Sequence, residues 1–188
     1  MLTIGIDIDD TLTDTTCIVR KYFMESNNRE LINNMEEIIR GYYKSDEITL
    51  AFKNMRDRLI NEVKVKKGVR EAIEKLHNKG YKIVLITARD DNYFGDAYKV
   101  CYDYLTRNGI VFDKLLVGRT YKIETCEEEN VDIIIDDSVE VIDKAISIGL
   151  DAILITSSLN VDRETKGQRF SNWDSIYKYI DKKYNNKE

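Results

Sequence analysis

Five short apolar runs set the limits on what this chain can fold into: 2–8 (LTIGIDI), 81–88 (YKIVLITA), 114–118 (KLLVG), 131–137 (VDIIIDD) and 152–156 (AILIT). They are continuous rather than alternating, and rich in Ile, Leu and Val. That is the pattern of strands in a parallel sheet covered on both faces. Helical patterns separate the last four. Val69, Ile73 and Leu76 share one face of a helix stopped by Gly80, a second helical stretch stops at Gly109, and Ser138 is placed to cap a third that ends at Gly149. Strand alternating with helix predicts a doubly wound, Rossmann-like α/β fold with a parallel sheet of about five strands.

The gap after the first run breaks this rhythm. Residues 15–66 contain no strand pattern and three helical ones, at 15–26, 34–43 and 46–63. They read as a helical cap subdomain inserted after strand one, so that 1–14 and 67–188 form the α/β core domain. A polar stretch at 157–171 reads as a loop, and 172–184 as a last amphipathic helix.

Composition narrows the function classes. A net charge of -5 and a pI near 5.2 argue against binding a nucleic acid polymer, which needs a basic surface. One local positive site would still suffice for a small anion. No apolar run approaches the roughly 20 residues of a membrane span, and the first residues lead straight into a strand pattern with no leader signature. Cys17, Cys101 and Cys126 are odd in number and widely spaced, which reads as reduced thiols and a cytoplasmic setting rather than a disulfide or zinc framework. Pro is absent, so the turns depend on Gly, Asn, Asp and Ser.

In open α/β sheets, ligands bind at the carboxyl ends of the strands. Asp7, Asp9 and Asp10 stand at the first such end; Thr87, Ala88 and Arg89 at the second; Arg119 and then Lys122 at the third; Asp136 and Asp137 at the fourth. Several carboxylates at one sheet edge are costly unless a cation sits among them. Mg2+ takes oxygen ligands and leaves positions for water and a phosphate oxygen. Phosphoryl transfer in turn needs a nucleophile, charge neutralisation and an acid for the leaving oxygen, all of which carboxylates, a metal and a lysine can supply.

These residues, DIDDT at 7–11, LITAR at 85–89, Lys122 and IIIDDS at 133–138, are similar to the four ordered motifs of the haloacid dehalogenase superfamily of phosphohydrolases. The stretch 121–138 and the Asn172-Trp173 pair before the last helix resemble its 5′-nucleotidase branch, which includes the 5′(3′)-deoxyribonucleotidases. The resemblance covers the whole chain and places a helical cap where the insertion falls. It implies an enzyme, a Mg2+-dependent phosphomonoesterase acting on a small phosphate ester such as a (deoxy)nucleoside monophosphate. It further implies that Asp7 is the nucleophile and that Asp9 is the general acid/base, with its backbone carbonyl on the metal. Thr87 and the Ala88 backbone would bind phosphate, as would Lys122. Asp137 would join Asp7 and Asp9 in holding the metal, with Asp136 in support. Where the family often has Pro-Gly, this chain has Lys67-Gly68, a departure that touches a turn and not the chemistry.

Two other readings are open. A phosphatase of the same superfamily with another substrate, such as a sugar phosphate, would carry the same motifs. A phospho-accepting receiver-type module also combines acids, Thr and Lys at strand ends, but its Asp follows the third strand, where this chain has VGRT, and it lacks the insertion. The remaining conspicuous residues have plainer roles. His77, the single His, sits at a helix C-terminus, where the dipole accounts for it. Phe23, Tyr42, Tyr43, Phe52 and Trp173 are packing residues first, and Arg163, Lys166 and Arg169 belong to a solvated loop.

Overall fold

A computed structural model describes residues 1–185 of the 188-residue chain. Its centre is a six-stranded, wholly parallel sheet in the order β3-β2-β1-β4-β5-β6. The strands are β1 (Thr3–Ile6), β2 (Lys82–Ile86), β3 (Lys114–Leu116), β4 (Ile133–Asp136), β5 (Asp151–Ile155) and β6 (Gln168–Phe170). Five of them lie in the five apolar runs. The sixth adds one edge strand to the expected sheet of about five and corrects the expectation of a loop through 157–171. β6 is three residues long and polar (Gln-Arg-Phe) and lies at the sheet edge against β5. Such a strand carries no apolar run because only one edge of it is paired and neither face is fully covered.

The buried runs divide their side chains by the two-residue period of a strand. Ile4 and Ile6, Ile83 and Leu85, Ile133 and Ile135, and Ile153 and Ile155 point to one face. Val84, Ile86, Ile134, Ala152 and Leu154 point to the other. The second face is covered by α9 (Lys122–Glu128) and α10 (Val139–Ser147), through Ile123, Val139 and Ile142. The first is covered by α6 (Val69–Asn78), α8 (Ala97–Arg107) and α11 (Trp173–Tyr184), through Ile73, Leu76, Leu105, Trp173 and Ile176. Covering both faces is what makes the inner positions of β1, β2, β4 and β5 apolar on both sides. Ser138 caps α10 by accepting from the Val141 amide at 3.3 Å. Gly80, Gly109 and Gly149 end their helices at positive φ, where a Cβ is disfavoured.

Between β1 and α6 stand α1 (Thr15–Glu25), α2 (Arg29–Asn33), α3 (Met35–Ile39), α4 (Asp46–Asn54) and α5 (Arg56–Asn61). The predicted 46–63 helix is broken at Met55, which is fully buried and ends α4. Asn28, as N-cap of α2, accepts from the amides of Glu30 and Leu31. The apolar sides of this insertion, including Val19, Phe23, Ile48 and Leu59, join the same cluster as the first face of the sheet. The two chain passages that connect insertion to sheet pair with each other: Thr13 bridges Val65, the Asp14 amide donates to the Lys64 carbonyl at 3.0 Å, and the Lys66 amide to that of Leu12 at 2.8 Å.

Candidate active site

The strand order reverses at β1, which has β2 on one side and β4 on the other. Such a switch point opens a crevice at the carboxyl ends. Register brings the functional ends level there. Ile6 pairs with Leu85 and with Ile135, and the Asp7 amide donates to the Ile135 carbonyl at 3.0 Å. Beyond Asp7 the chain turns. Asp10 takes positive φ, its carboxylate accepts from the Thr16 amide at 3.0 Å, and Leu12 returns a hydrogen bond to the Ile8 carbonyl. This turn aims consecutive acidic side chains in different directions.

Asp7, Asp136 and Asp137 come together, each offering one carboxylate oxygen within 4.8 Å of the other two. The Lys122 ammonium, at the first position of α9, donates to Asp7 Oδ1 at 2.6 Å and to Asp136 Oδ2 at 2.7 Å. Asp136 is fully buried and also accepts from the Ser138 amide at 2.8 Å. Asp137 is oriented by Ser157, whose hydroxyl donates to Oδ2 at 3.0 Å, and by Asn160, whose amide nitrogen donates to the Asp137 carbonyl at 2.7 Å. Three carboxylates against one ammonium leave up to two negative charges uncompensated in a buried place. Burial, and then the neighbouring Asp136 and Asp9 charges, raise Asp7 to a pKa of about 7 despite the opposing pull of Lys122. Burial and the charges of Asp136 and Asp7 raise Asp137 as well. Burial disfavours the Lys122 cation, but Asp136 and Asp7 outweigh it and fix the charge there. An all-oxygen donor set with this surplus of negative charge fits a hard divalent cation such as Mg2+.

Asp9 is arranged differently. Its side chain is outside the three-carboxylate cluster and forms a bidentate pair with Arg89: Nε to Oδ2 at 2.9 Å and Nη2 to Oδ1 at 2.6 Å. Thr15, the first residue of α1, adds a hydrogen bond to Oδ1 at 2.6 Å. Burial alone would raise the Asp9 pKa, but the Arg89 charge and these hydrogen bonds outweigh it and lower it. In the substrate-free protein Arg89 therefore favours the Asp9 carboxylate. Any metal contact from Asp9 is thereby left to its backbone carbonyl.

Thr87 is fully buried, and its hydroxyl accepts from the Arg89 amide at 3.2 Å; Ala88 is exposed at the strand end. The sequence places Arg89 at that strand end and assigns it no role. A lone arginine closing a buried apolar strand, opposite three acids, is the signal that could have assigned it. Ser157 and Asn160 gave no such signal, because their contact with Asp137 is made across the fold.

Beside Asp9 and Arg89 a cavity of about 490 Å3 opens between the insertion and the sheet. Its walls include Ile48, Phe52 and Tyr93, with Thr16, Ser45 and Thr49 as neutral polar groups. Phe52 meets Phe23 on one side and Tyr93 on the other, edge to face, with centroids 6.0 Å apart in each pair. Tyr93 belongs to α7 (Asp91–Phe94), which follows β2, so this aromatic row crosses from insertion to sheet domain. Of the other aromatic residues, Trp173 is buried and donates to the Thr11 carbonyl at 3.2 Å. His77 has a partner besides the helix end, Asp113 at 3.3 Å. In the loop expected to be solvated, Arg163 pairs with Glu140 at 2.7 Å on the exposed surface, and the half-buried Arg169 donates to the Asn160 side chain at 3.0 Å.

Over 95% of this chain and 97% of the other, the fold matches the crystal structure of a predicted phosphatase from Clostridium acetobutylicum, at 17% identity and a TM-score of 0.69. It also matches a haloacid dehalogenase superfamily hydrolase from Geobacter sulfurreducens over 96% of each chain, at 14% identity and a TM-score of 0.61. The chain has the haloacid dehalogenase superfamily fold. By sequence it is similar to a protein named as a nucleotidase, also from Clostridium acetobutylicum, at 28% identity across 100% of this chain and 97% of the relative. No protein-family model matches the chain.

Proposed function

We propose that this protein is a Mg2+-dependent phosphomonoesterase that works through an aspartyl-phosphate on Asp7 and acts on (deoxy)nucleoside 5′-monophosphates. Residues 1–14 and 67–188 serve as the catalytic core and 15–66 as the cap that meets the rest of the substrate. The free thiols Cys17, Cys101 and Cys126 suit a cytoplasmic setting. The observation that carries the reading is the position of Asp7. It is a buried carboxylate at the switch point, bound to Lys122, grouped with Asp136 and Asp137, and two residues before Asp9, which lines a cavity with aromatic walls. The nucleotidase name of the similar Clostridium protein supports the substrate class, as do the cavity walls, since a nucleobase is flat and largely apolar on its faces.

Asp7, Asp137 and the backbone carbonyl of Asp9 would hold the cation, with Asp136 supporting them through Lys122. When bound, the cation offsets negative charge on the phosphoryl group and on Asp7. Lys122 adds a fixed positive charge at the same oxygens, and the Thr87 hydroxyl and Ala88 backbone complete the phosphate cradle. In the first step an Asp7 oxygen bonds to phosphorus, the ester P–O bond breaks with its electron pair on the leaving oxygen, and that oxygen takes a proton through Asp9, a carboxylate before substrate binds that first acquires the proton from the phosphate monoester monoanion. In the second, water attacks the aspartyl-phosphate, the pair returns to Asp7, and the water proton passes to Asp9. The test is a phosphate-release screen with Mg2+ over nucleoside monophosphates and sugar phosphates. Preference for the nucleotides is expected; preference for sugar phosphates would move the substrate assignment, and release undiminished in EDTA after dialysis would remove the metal.

A further inference from the structure

The bidentate pair between Arg89 and Asp9 does more than balance charge. Arg89 is itself immobilised. Its guanidinium lies over the Phe94 ring at 5.1 Å, its amide donates to Thr87 Oγ1 at 3.2 Å, and its carbonyl accepts from the Gly118 amide at 2.8 Å. Only 4% of its side chain is exposed, against 33% for Asp9. The fixed partner is therefore the arginine, and the carboxylate at the cavity wall takes its orientation from it.

The two oxygens of Asp9 are not equivalent. Oδ1 accepts two hydrogen bonds, from Arg89 Nη2 and from Thr15, and its acceptor sites are filled. Oδ2 accepts one, from Arg89 Nε. A protonated Oδ2 can still accept from Nε while its own O–H points elsewhere. We infer that Arg89 is a positioning residue for proton transfer: it holds the carboxylate by both oxygens and, with Thr15 filling Oδ1, turns the open position of Oδ2 toward the leaving group as the oxygen that delivers the proton. This rests on the phosphomonoesterase reading above, in which Asp9 is the acid. The ester oxygen leaves with its electron pair and receives the Oδ2 proton, and Asp9 regains a proton from water in the second step.

Phenyl phosphate and p-nitrophenyl phosphate, similar in shape, separate this role from simple structural support. Phenolate is the poorer leaving group and needs the proton; p-nitrophenolate needs it far less. A misaligned acid therefore lowers kcat/KM for phenyl phosphate selectively, whereas a loosened site lowers both. Arg89→Met is expected to lose at least about tenfold more on phenyl phosphate than on p-nitrophenyl phosphate, within the roughly 10²–10⁴-fold range of general acid catalysis. Arg89→Lys should behave similarly, because an ammonium cannot make the two-pronged contact. Adding Arg89→Met to Asp9→Asn should change the Asp9→Asn ratio no further. Equal losses on both esters, or an additional loss in the double variant, would overturn the role of Arg89. If Arg89→Met does not fold, a wild-type ratio in folded Arg89→Lys overturns it equally. If Asp9→Asn itself affects both esters alike, the acid assignment of Asp9 fails instead, and the two failures are told apart by that single variant.

Discussion

At the residue scale, two aspartates two positions apart are set in opposite electrostatic surroundings. Asp7 shares Lys122 with Asp136 and feels two further acids; Asp9 has Arg89 to itself. Their substitutions should therefore separate. Asp7→Asn should abolish turnover, because the amide cannot attack phosphorus. Asp9→Asn should still transfer phosphoryl from p-nitrophenyl phosphate to Asp7 but hydrolyse the intermediate slowly, giving a burst of about one p-nitrophenolate per site and then slow release. Mass spectrometry after a rapid acid quench should find the phosphate on the peptide holding Asp7; label elsewhere would sink the assignment. Lys122 makes a second, two-part prediction. Lys122→Met should lower kcat/KM by about 2–4 kcal/mol of transition-state stabilisation. It should also lower the Tm of the metal-free protein, because removing one partner of a buried ion pair typically costs about 3–5 kcal/mol. Steady-state kinetics and thermal melts read the two effects separately, and a variant with wild-type values in both would return Lys122 to an ordinary helix residue.

At the element scale, legibility followed burial. β1, β2, β4 and β5 are covered on both faces, so nearly every residue in them is apolar and each could be located by eye in the sequence. The paired acids of β4 and the acids after β1 were legible for the converse reason, since charge directly after such a run must be used or neutralised. β6 was not legible: Gln168 and Arg169 are held by pairing with Ile153 and Leu154 rather than by their own apolarity. Its position depends on close packing just before it. A Cβ on Gly167 would lie 2.3 Å from Ile142 Cγ2, a branched methyl in the fully buried core of α10. Gly167→Ala should therefore destabilise the protein by about 1–3 kcal/mol through overpacking, measured by denaturant unfolding. An unchanged midpoint would mean that the edge strand yields freely and holds nothing in place. Which of the three acids Arg89 pairs with was unreadable for a related reason. Eighty residues separate Arg89 from Asp9, and only the parallel register of β1 with β2 brings the strand ends side by side.

At the scale of the whole molecule, the fold gathers three carboxylates at one sheet edge, where a bound cation would offset their repulsion. The layers that cover the sheet also bury Asp7 and Asp136 and half-bury Asp137, so without a cation their ionised forms are disfavoured. A divalent cation bound there should stabilise the folded chain as a whole. At a hundredfold excess over Kd the gain is about 2.7 kcal/mol, or roughly 5–10 °C in Tm for a chain of this size. The gain should depend on pH, with a sign that follows from Asp7. Its pKa is raised from the ordinary 3.8 to about 7 in the folded, metal-free protein. A raised value means that Asp7 contributes stability below the unfolded pKa and that this is lost as pH rises through about 7. Metal-free protein should thus lose stability over that window. Cation binding must displace the Asp7 proton at low pH and need not do so above about 7, so the Mg2+-induced rise in Tm should grow from about pH 5 to about pH 8 and then level off. Thermal melts with and without Mg2+ across that range test both slopes. A Mg2+ shift that is constant with pH would show that Asp7 does not take part in holding the cation, and a shift lost in Asp137→Asn but kept in Asp9→Asn would locate the ion against the carboxylate cluster and the Asp9 backbone rather than the Asp9 side chain.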